Sequence, residues 1–124
     1  MESTNNKTIL VVDDEAALCH TLTDVLSGEG YRLLEANSVL RALDILKSNQ
    51  IDLIISDIEM PGMNGYDLVG KVNELYPHIK IQLVSGYSDR VRDDIVLHKK
   101  ILYKPYRNSE MIERVKSMLG SDES

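Results

Sequence analysis

Short apolar runs alternate along the chain with longer stretches in which apolar residues recur every three or four positions. That alternation marks a parallel sheet covered by helices, because strands buried on both faces need unbroken apolar character while covering helices need only one apolar stripe. Ile9-Leu10-Val11-Val12 and Leu53-Ile54-Ile55 are unbroken and predict central strands. Tyr31 to Ala36 mixes Arg32 and Glu35 with Leu33 and Leu34, which suits a strand at or near an edge. Ile81 to Val84 and Ile101 to Tyr103 supply the fourth and fifth runs. Between them, Leu18, Leu22 and Val25 predict one buried helix face; Val39, Leu43 and Leu46 predict a second. Leu68, Val72 and Leu75 predict a third, and Met111, Val115 and Met118 a last one. Ser38 and Asn64 are placed to cap the second and third helices, while Gly28 with Gly30 and Gly120 with Ser121 stand where helices should stop. A weaker helix is expected between Ser88 and His98, where Val91 and Ile95 form a short stripe amid Arg90, Arg92, Asp93 and Asp94.

At 124 residues and 43% apolar content the chain suffices for one core, not two. The expected division is a disordered tail over residues 1–6, a single domain over 7–119, and a tail or the start of a linker over 120–124. The 20 acidic residues outnumber the 14 basic ones, which argues against general affinity for nucleic acid or anionic membranes and suits an acidic metal site. The balance reverses locally: Arg90 to Lys116 carries eight Lys or Arg against four Asp or Glu. Cys19 is the only cysteine, so neither an internal disulfide nor a cysteine-held zinc is available, and it is read as a small core residue. His20, His78 and His98 are scattered and read as surface. A polar N-terminus and strand-sized apolar runs give no signal peptide or membrane span, so a soluble cytoplasmic protein is expected.

In open α/β sheets ligands bind beyond the carboxyl ends of the strands. The residues standing there are chemically coherent: Asp13-Asp14 after the first run, Ser56-Asp57 at the third, Ser85 after the fourth, Lys104-Pro105 after the fifth. Singly, each has a bland reading. Asp13-Asp14 suits a helix N-terminus, Ser85-Gly86 a turn, and Lys104-Pro105 a solvated surface. Jointly they describe a pocket. If the first and third strands are neighbours, three carboxylates converge, and such a group must either hold a proton or share a cation. Few hard oxygen ligands, with room for water and phosphate, favour Mg²⁺ over a fully caged Ca²⁺.

Asp13-Asp14, Asp57-x-x-Met60-Pro61-x-x-x-Gly65, Ser85 and Lys104-Pro105 together resemble the signature of response-regulator receiver domains, the CheY-like superfamily of two-component signalling. The resemblance covers roughly Lys7 to Leu119. It implies an α/β fold with a five-stranded parallel sheet of order 2-1-3-4-5 and helices on both faces. It implies that Asp57 is the phosphoacceptor, served by a histidine kinase or a histidine phosphotransfer protein. Asp14 and Asp57 would ligate Mg²⁺ (or Mn²⁺) directly, Asp13 through water, and the Glu59 backbone carbonyl would complete the set. Lys104 and Ser85 would bind phosphoryl oxygens, a cis Lys104-Pro105 bond would aim the lysine, and Met60, Pro61 and Gly65 would shape the loop after Asp57. Such a domain is a signalling module whose only chemistry is its own magnesium-dependent gain and loss of phosphate.

Two departures from the family pattern concern transmission. Ile101 stands where an aromatic usually occupies the position three residues before the lysine, and Tyr103 and Tyr106 do not take its place. The stretch from Ser85 to Lys104 is a few residues shorter than usual, which alters the face between the Ser88–His98 helix and the last helix through which an output domain or target would bind. Tyr87, two positions after Ser85, is placed to gate the pocket. The rival reading is a receiver-like interaction module acting without phosphorylation. An aspartate-dependent phosphatase or a flavodoxin is disfavoured, because Glu59 stands where the former needs a second Asp, and Asp13-Asp14-Glu15 where the latter needs a hydroxyl- and glycine-rich loop. No DNA-binding or catalytic module follows Leu119, so the chain is either a stand-alone receiver or part of a larger regulator or hybrid kinase.

Overall fold

A computed structural model describes residues 7–86 and 101–120. The chain runs β1 (Thr8–Val12), α1 (Ala16–Ser27), β2 (Arg32–Ala36), α2 (Val39–Leu46), β3 (Leu53–Asp57), α3 (Gly65–Leu75), β4 (Lys80–Ser85), β5 (Leu102–Tyr103) and α4 (Asn108–Leu119). All strand pairs are parallel, in the order β2-β1-β3-β4-β5. The expected weak helix between Ser88 and His98, and Tyr87, lie outside the described residues.

Burial follows the polarity of each run. Every residue of β1 and β3 is buried, whereas Arg32 of the edge strand β2 is exposed and Leu33, Leu34 and Glu35 are half-buried. Because strand side chains alternate faces, the sheet divides its apolar residues between two cores. On one face Ile9, Val11 and Ile55 pack with Leu22 and Leu26 of α1 and Met111 and Val115 of α4. On the other, Leu10, Val12 and Ile54 pack with Val39, Ala42 and Leu46 of α2 and Leu68 and Val72 of α3. Among the described residues no helix is long and apolar enough to cross a membrane.

The caps explain where the helices begin. Ser38 accepts the Arg41 backbone N–H through its side chain, and Asn64 forms a reciprocal capping box with Asp67. Two predicted stripes are corrected. Residues 18-22-25 and 19-22-26 both satisfy helical spacing and share Leu22, so periodicity alone does not set the rotation of α1. The helix turns Cys19, Leu22, Thr23 and Leu26 inward and leaves Leu18 44% exposed. Likewise Leu75, the last residue of α3, is 60% exposed, and the following Tyr76 packs against the core in its place. Cys19 is a core residue as expected; its thiol lies 3.6 Å from the Val11 carbonyl, and burial pushes its pKa up to about 12.

The start of α3 abuts β3 so closely that a side chain at Gly65 would meet backbone. A Cβ there would lie 2.7 Å from the Asp57 carbonyl oxygen and 2.9 Å from the Ile58 Cα. Gly65→Ala is therefore expected to lower unfolding free energy by about 2–3 kcal/mol, the usual cost of overpacking. Asn64→Ala, which only removes a cap, should cost about 1 kcal/mol. Urea denaturation of the two variants checks the ranking, and equal losses would remove the steric account of Gly65.

Candidate functional site

Parallel pairing in close register brings the carboxyl ends of the strands level. Val12 pairs with both Ala36 and Ser56, Asp57 with Val84, and Ser85 with Tyr103. The residues that follow each strand therefore gather at one edge. Asp13 is anchored there because its backbone N–H donates to the Ala36 carbonyl at 3.0 Å, and its carboxylate accepts the Glu15 N–H at 2.9 Å. Asp57 ends β3, where the Ile58 N–H still donates to the Val84 carbonyl at 2.9 Å and holds the strand end in the sheet.

Asp13, Asp14 and Asp57 each offer a carboxylate oxygen to a group whose members all lie within 4.8 Å of one another. Asp13 and Asp57 are buried and Asp14 is exposed, so the group opens to solvent on one side. Opposite stands Lys104, its Nζ 3.3 Å from Asp57 Oδ2 and 3.8 Å from Asp13 Oδ2. The lysine is held by its own backbone, whose N–H donates to the Ser85 carbonyl at 2.8 Å, and the peptide bond that follows, to Pro105, is cis. An open cavity of about 280 Å³ runs beside the cluster, lined by Leu18, Thr21, Lys104 and Tyr106 among others.

The electrostatics are those of a carboxylate cluster lacking full compensation. Burial raises the Asp57 carboxyl from its ordinary 3.8 to about 6; Lys104 opposes the rise, and Asp13 and Glu59 reinforce it. Burial likewise raises Asp13, against the Glu15 N–H and Lys104. For Lys104, burial pulls the pKa down, but the charges of Asp57 and Asp13 outweigh it and hold the ammonium above its ordinary value. One ammonium thus serves two buried carboxylates and neutralises neither completely.

The other residues singled out from sequence lie around this centre. Ser85 is fully buried at the end of β4, and its hydroxyl donates to Glu59 Oε2 at 2.7 Å rather than reaching toward Asp57. Met60 is buried in the core shared with α2 and α3, Pro61 is exposed, and Gly65 opens α3 with its N–H on the Ile58 carbonyl at 3.1 Å. Ile101 is buried with Ile58, Val69 and Leu83, one layer behind the site. Sequence reasoning assigned Glu59 only its backbone carbonyl and so missed its side chain. No local signal could have found it: β3 ends at Asp57, the chain bends at Ile58, and the side chain's partner lies 26 residues away.

The sequence matches the family model of the response regulator receiver domain over residues 9–116. It is 32% identical over 117 residues to the transcriptional regulatory protein YvrH of Bacillus subtilis, covering 92% of this chain and 49% of that protein. It is 29% identical over 120 residues to sporulation initiation phosphotransferase F of the same organism, covering 92% of this chain and 94% of that one. The chain therefore spans about half of the first relative and nearly all of the second. Among solved structures, response regulator protein TrrA of Thermotoga maritima, determined in complex with Mg²⁺ and BeF, aligns with a TM-score of 0.82 at 35% identity, covering 91% of this chain and 99% of that one. An acidic cluster facing a lysine at the carboxyl edge of a 2-1-3-4-5 sheet, matched over most of its length in this way, places the chain in the response regulator receiver domain family of two-component signalling.

Proposed function

We propose that Asp57 accepts a phosphoryl group from a phosphohistidine on a histidine kinase or phosphotransfer protein, in the cytoplasm, and that the change at the site is passed to a partner or an attached output. The observation that carries this reading is the convergence of three carboxylates, all within 4.8 Å, on a lysine 3.3 Å from Asp57. Its relatives agree: one is named a phosphotransferase, and another was captured with Mg²⁺ and BeF.

The donor set suits magnesium. Hard oxygen atoms on an open, under-neutralised acidic edge are the ligands that ion prefers. Asp14 and Asp57 are assigned as direct ligands, Asp13 as a ligand through water, and the Glu59 backbone carbonyl as the remaining one. When bound, the ion neutralises the carboxylates and the incoming phosphoryl oxygens. The chain's own residues do the rest. A carboxylate oxygen of Asp57 attacks phosphorus, the new O–P bond forms as the N–P bond breaks, and the departing imidazole nitrogen keeps the electron pair and takes a proton from solvent. Lys104 moves its ammonium from the Asp57 carboxylate onto a phosphoryl oxygen, and Ser85 supplies a hydroxyl donor to another. Hydrolysis of the O–P bond by water resets the site. Ile101, buried in a cluster with Ile58, Val69 and Leu83, offers no ring to rotate, so the Ser85 hydroxyl is the group that reports the phosphate.

Exposure to acetyl phosphate with Mg²⁺ is expected to add the mass of one phosphoryl group, and both chelation and Asp57→Asn should abolish the addition. Beryllofluoride with Mg²⁺ should shift the amide NMR signals around Asp57. A wild-type protein silent in both assays would favour the interaction module that works without phosphate.

The raised pKa of Asp57 makes a second test. Between 3.8 and about 6 the folded, metal-free protein binds more protons than the unfolded chain, so its stability must fall as pH rises through that window. The loss should amount to roughly 2–3 kcal/mol. Asp57→Asn should remove most of that slope and be more stable than wild type in chelator at neutral pH, while Mg²⁺ should stabilise only the wild type. Urea titrations across pH measure this; an unchanged slope in Asp57→Asn would assign it to other carboxylates.

A further inference from the structure

We propose that the Glu59 side chain is a latch on Ser85, a positioning residue that weakens the site's hold on a phosphoryl group by occupying the hydroxyl that group needs. The inference rests on the reading of Asp57 as phosphoacceptor.

Ser85 is fully buried, so its hydroxyl meets only what the fold places beside it. A carboxylate is placed there: the hydroxyl donates to Glu59 Oε2 at 2.7 Å, a length normal for an O–H donor on a carboxylate. Glu59 reaches it from the loop after β3, two residues beyond Asp57, and its own N–H lies on Asp57 Oδ1 at 3.3 Å. One residue therefore touches both the phosphoacceptor and the hydroxyl meant to serve it. Ser85 cannot escape by moving its backbone, because its carbonyl accepts the Lys104 N–H at 2.8 Å and pairing with Tyr103 ties β4 to β5. Only rotation about Cα–Cβ remains.

A serine hydroxyl has one proton to donate. It cannot serve Glu59 Oε2 and a phosphoryl oxygen together, so binding the phosphoryl group exchanges one anionic acceptor for another and gains little. Without the Glu59 carboxylate, the same rotation would form a charge-assisted bond to the phosphoryl group without giving up the one to Glu59. Such bonds contribute about 1.5–3 kcal/mol, which corresponds to a gain in affinity of about tenfold or more. Glu59 also adds a negative charge beside an anionic ligand, a repulsion that acts whether or not Ser85 is present.

These two contributions separate in a double-mutant cycle read by beryllofluoride binding in the presence of Mg²⁺. Glu59→Ala keeps the backbone carbonyl and should bind about tenfold more tightly than wild type. In a Ser85→Ala background the same change should gain only the smaller repulsive part. Glu59→Gln, which keeps an acceptor but loses the charge, should fall between Glu59→Ala and wild type. In metal-free protein, NMR should show a Ser85 hydroxyl proton exchanging slowly in wild type and quickly in Glu59→Ala. Equal affinity of wild type and Glu59→Ala, or an equal gain in both backgrounds, would overturn the latch while leaving Asp57 as phosphoacceptor. Failure of wild type to bind beryllofluoride at all, with the hydroxyl proton still protected, would overturn the phosphoacceptor reading and the latch's function with it.

Discussion

Mutual repulsion among Asp13, Asp14 and Asp57 is the constraint around which this domain is built. Left to themselves the three would separate, and a single ammonium at 3.3 and 3.8 Å from two of them does not cancel the cost of their burial. They stay together because the sheet leaves them nowhere else to go. β1 and β3 are buried along their whole length, and the bonds from Asp13 to the Ala36 carbonyl and from Ile58 to the Val84 carbonyl carry the strand ends right up to the acidic edge. The apolar cores on both faces supply the stability that the acidic edge consumes. A site assembled from strand ends inherits the rigidity of the sheet, whereas the same carboxylates on a free loop would relax apart.

This arrangement also explains why the loop after β3 is tight. The close approach of Gly65 to the Asp57 carbonyl brings the start of α3 against the backbone of Asp57, and the Asn64 capping box fixes where that helix begins. Met60 anchors the middle of the loop in the core while Pro61 turns outward. Glu59 is consequently held in one place, with its backbone N–H on Asp57 and its carboxylate on Ser85. The loop is less a connector than a spacer that sets what lies within reach of Asp57.

Much of this was readable from the chain. Unbroken runs such as Ile9 to Val12 are informative because few arrangements other than a two-sided burial tolerate them, and the mixed polarity of Arg32 to Ala36 pointed correctly to an edge. The acid, hydroxyl and lysine positions were legible because each follows a strand, and strand ends converge in this topology. What escaped were rotations and partners. Leu18 and Cys19 both fit the period of α1, and hydrophobicity alone favours the larger side chain although the smaller one is the one buried. Leu75 fits the inward stripe yet is exposed, because periodicity carries no information about where a helix runs past its supporting surface. The Ser85–Glu59 bond escaped for a different reason: it joins residues 26 apart in sequence, and no pattern local to either residue encodes it.

The same bond bears on how a receiver with Ile101 in place of an aromatic would transmit its state. Ile101 is packed against Ile58, Val69 and Leu83, so moving it would open a void in a buried apolar cluster, a change the core resists. Ser85 needs no such void, since a rotation about one bond exchanges Glu59 for another acceptor. Were the Ser85 hydroxyl to leave it, Glu59 would be a half-buried carboxylate without that donor, and it would gain by turning toward water. In this domain the displaced group would then be an anion from the nucleophile's own loop rather than a ring from β5. The visible sign of phosphorylation would be a new charge on the surface beside Asp57.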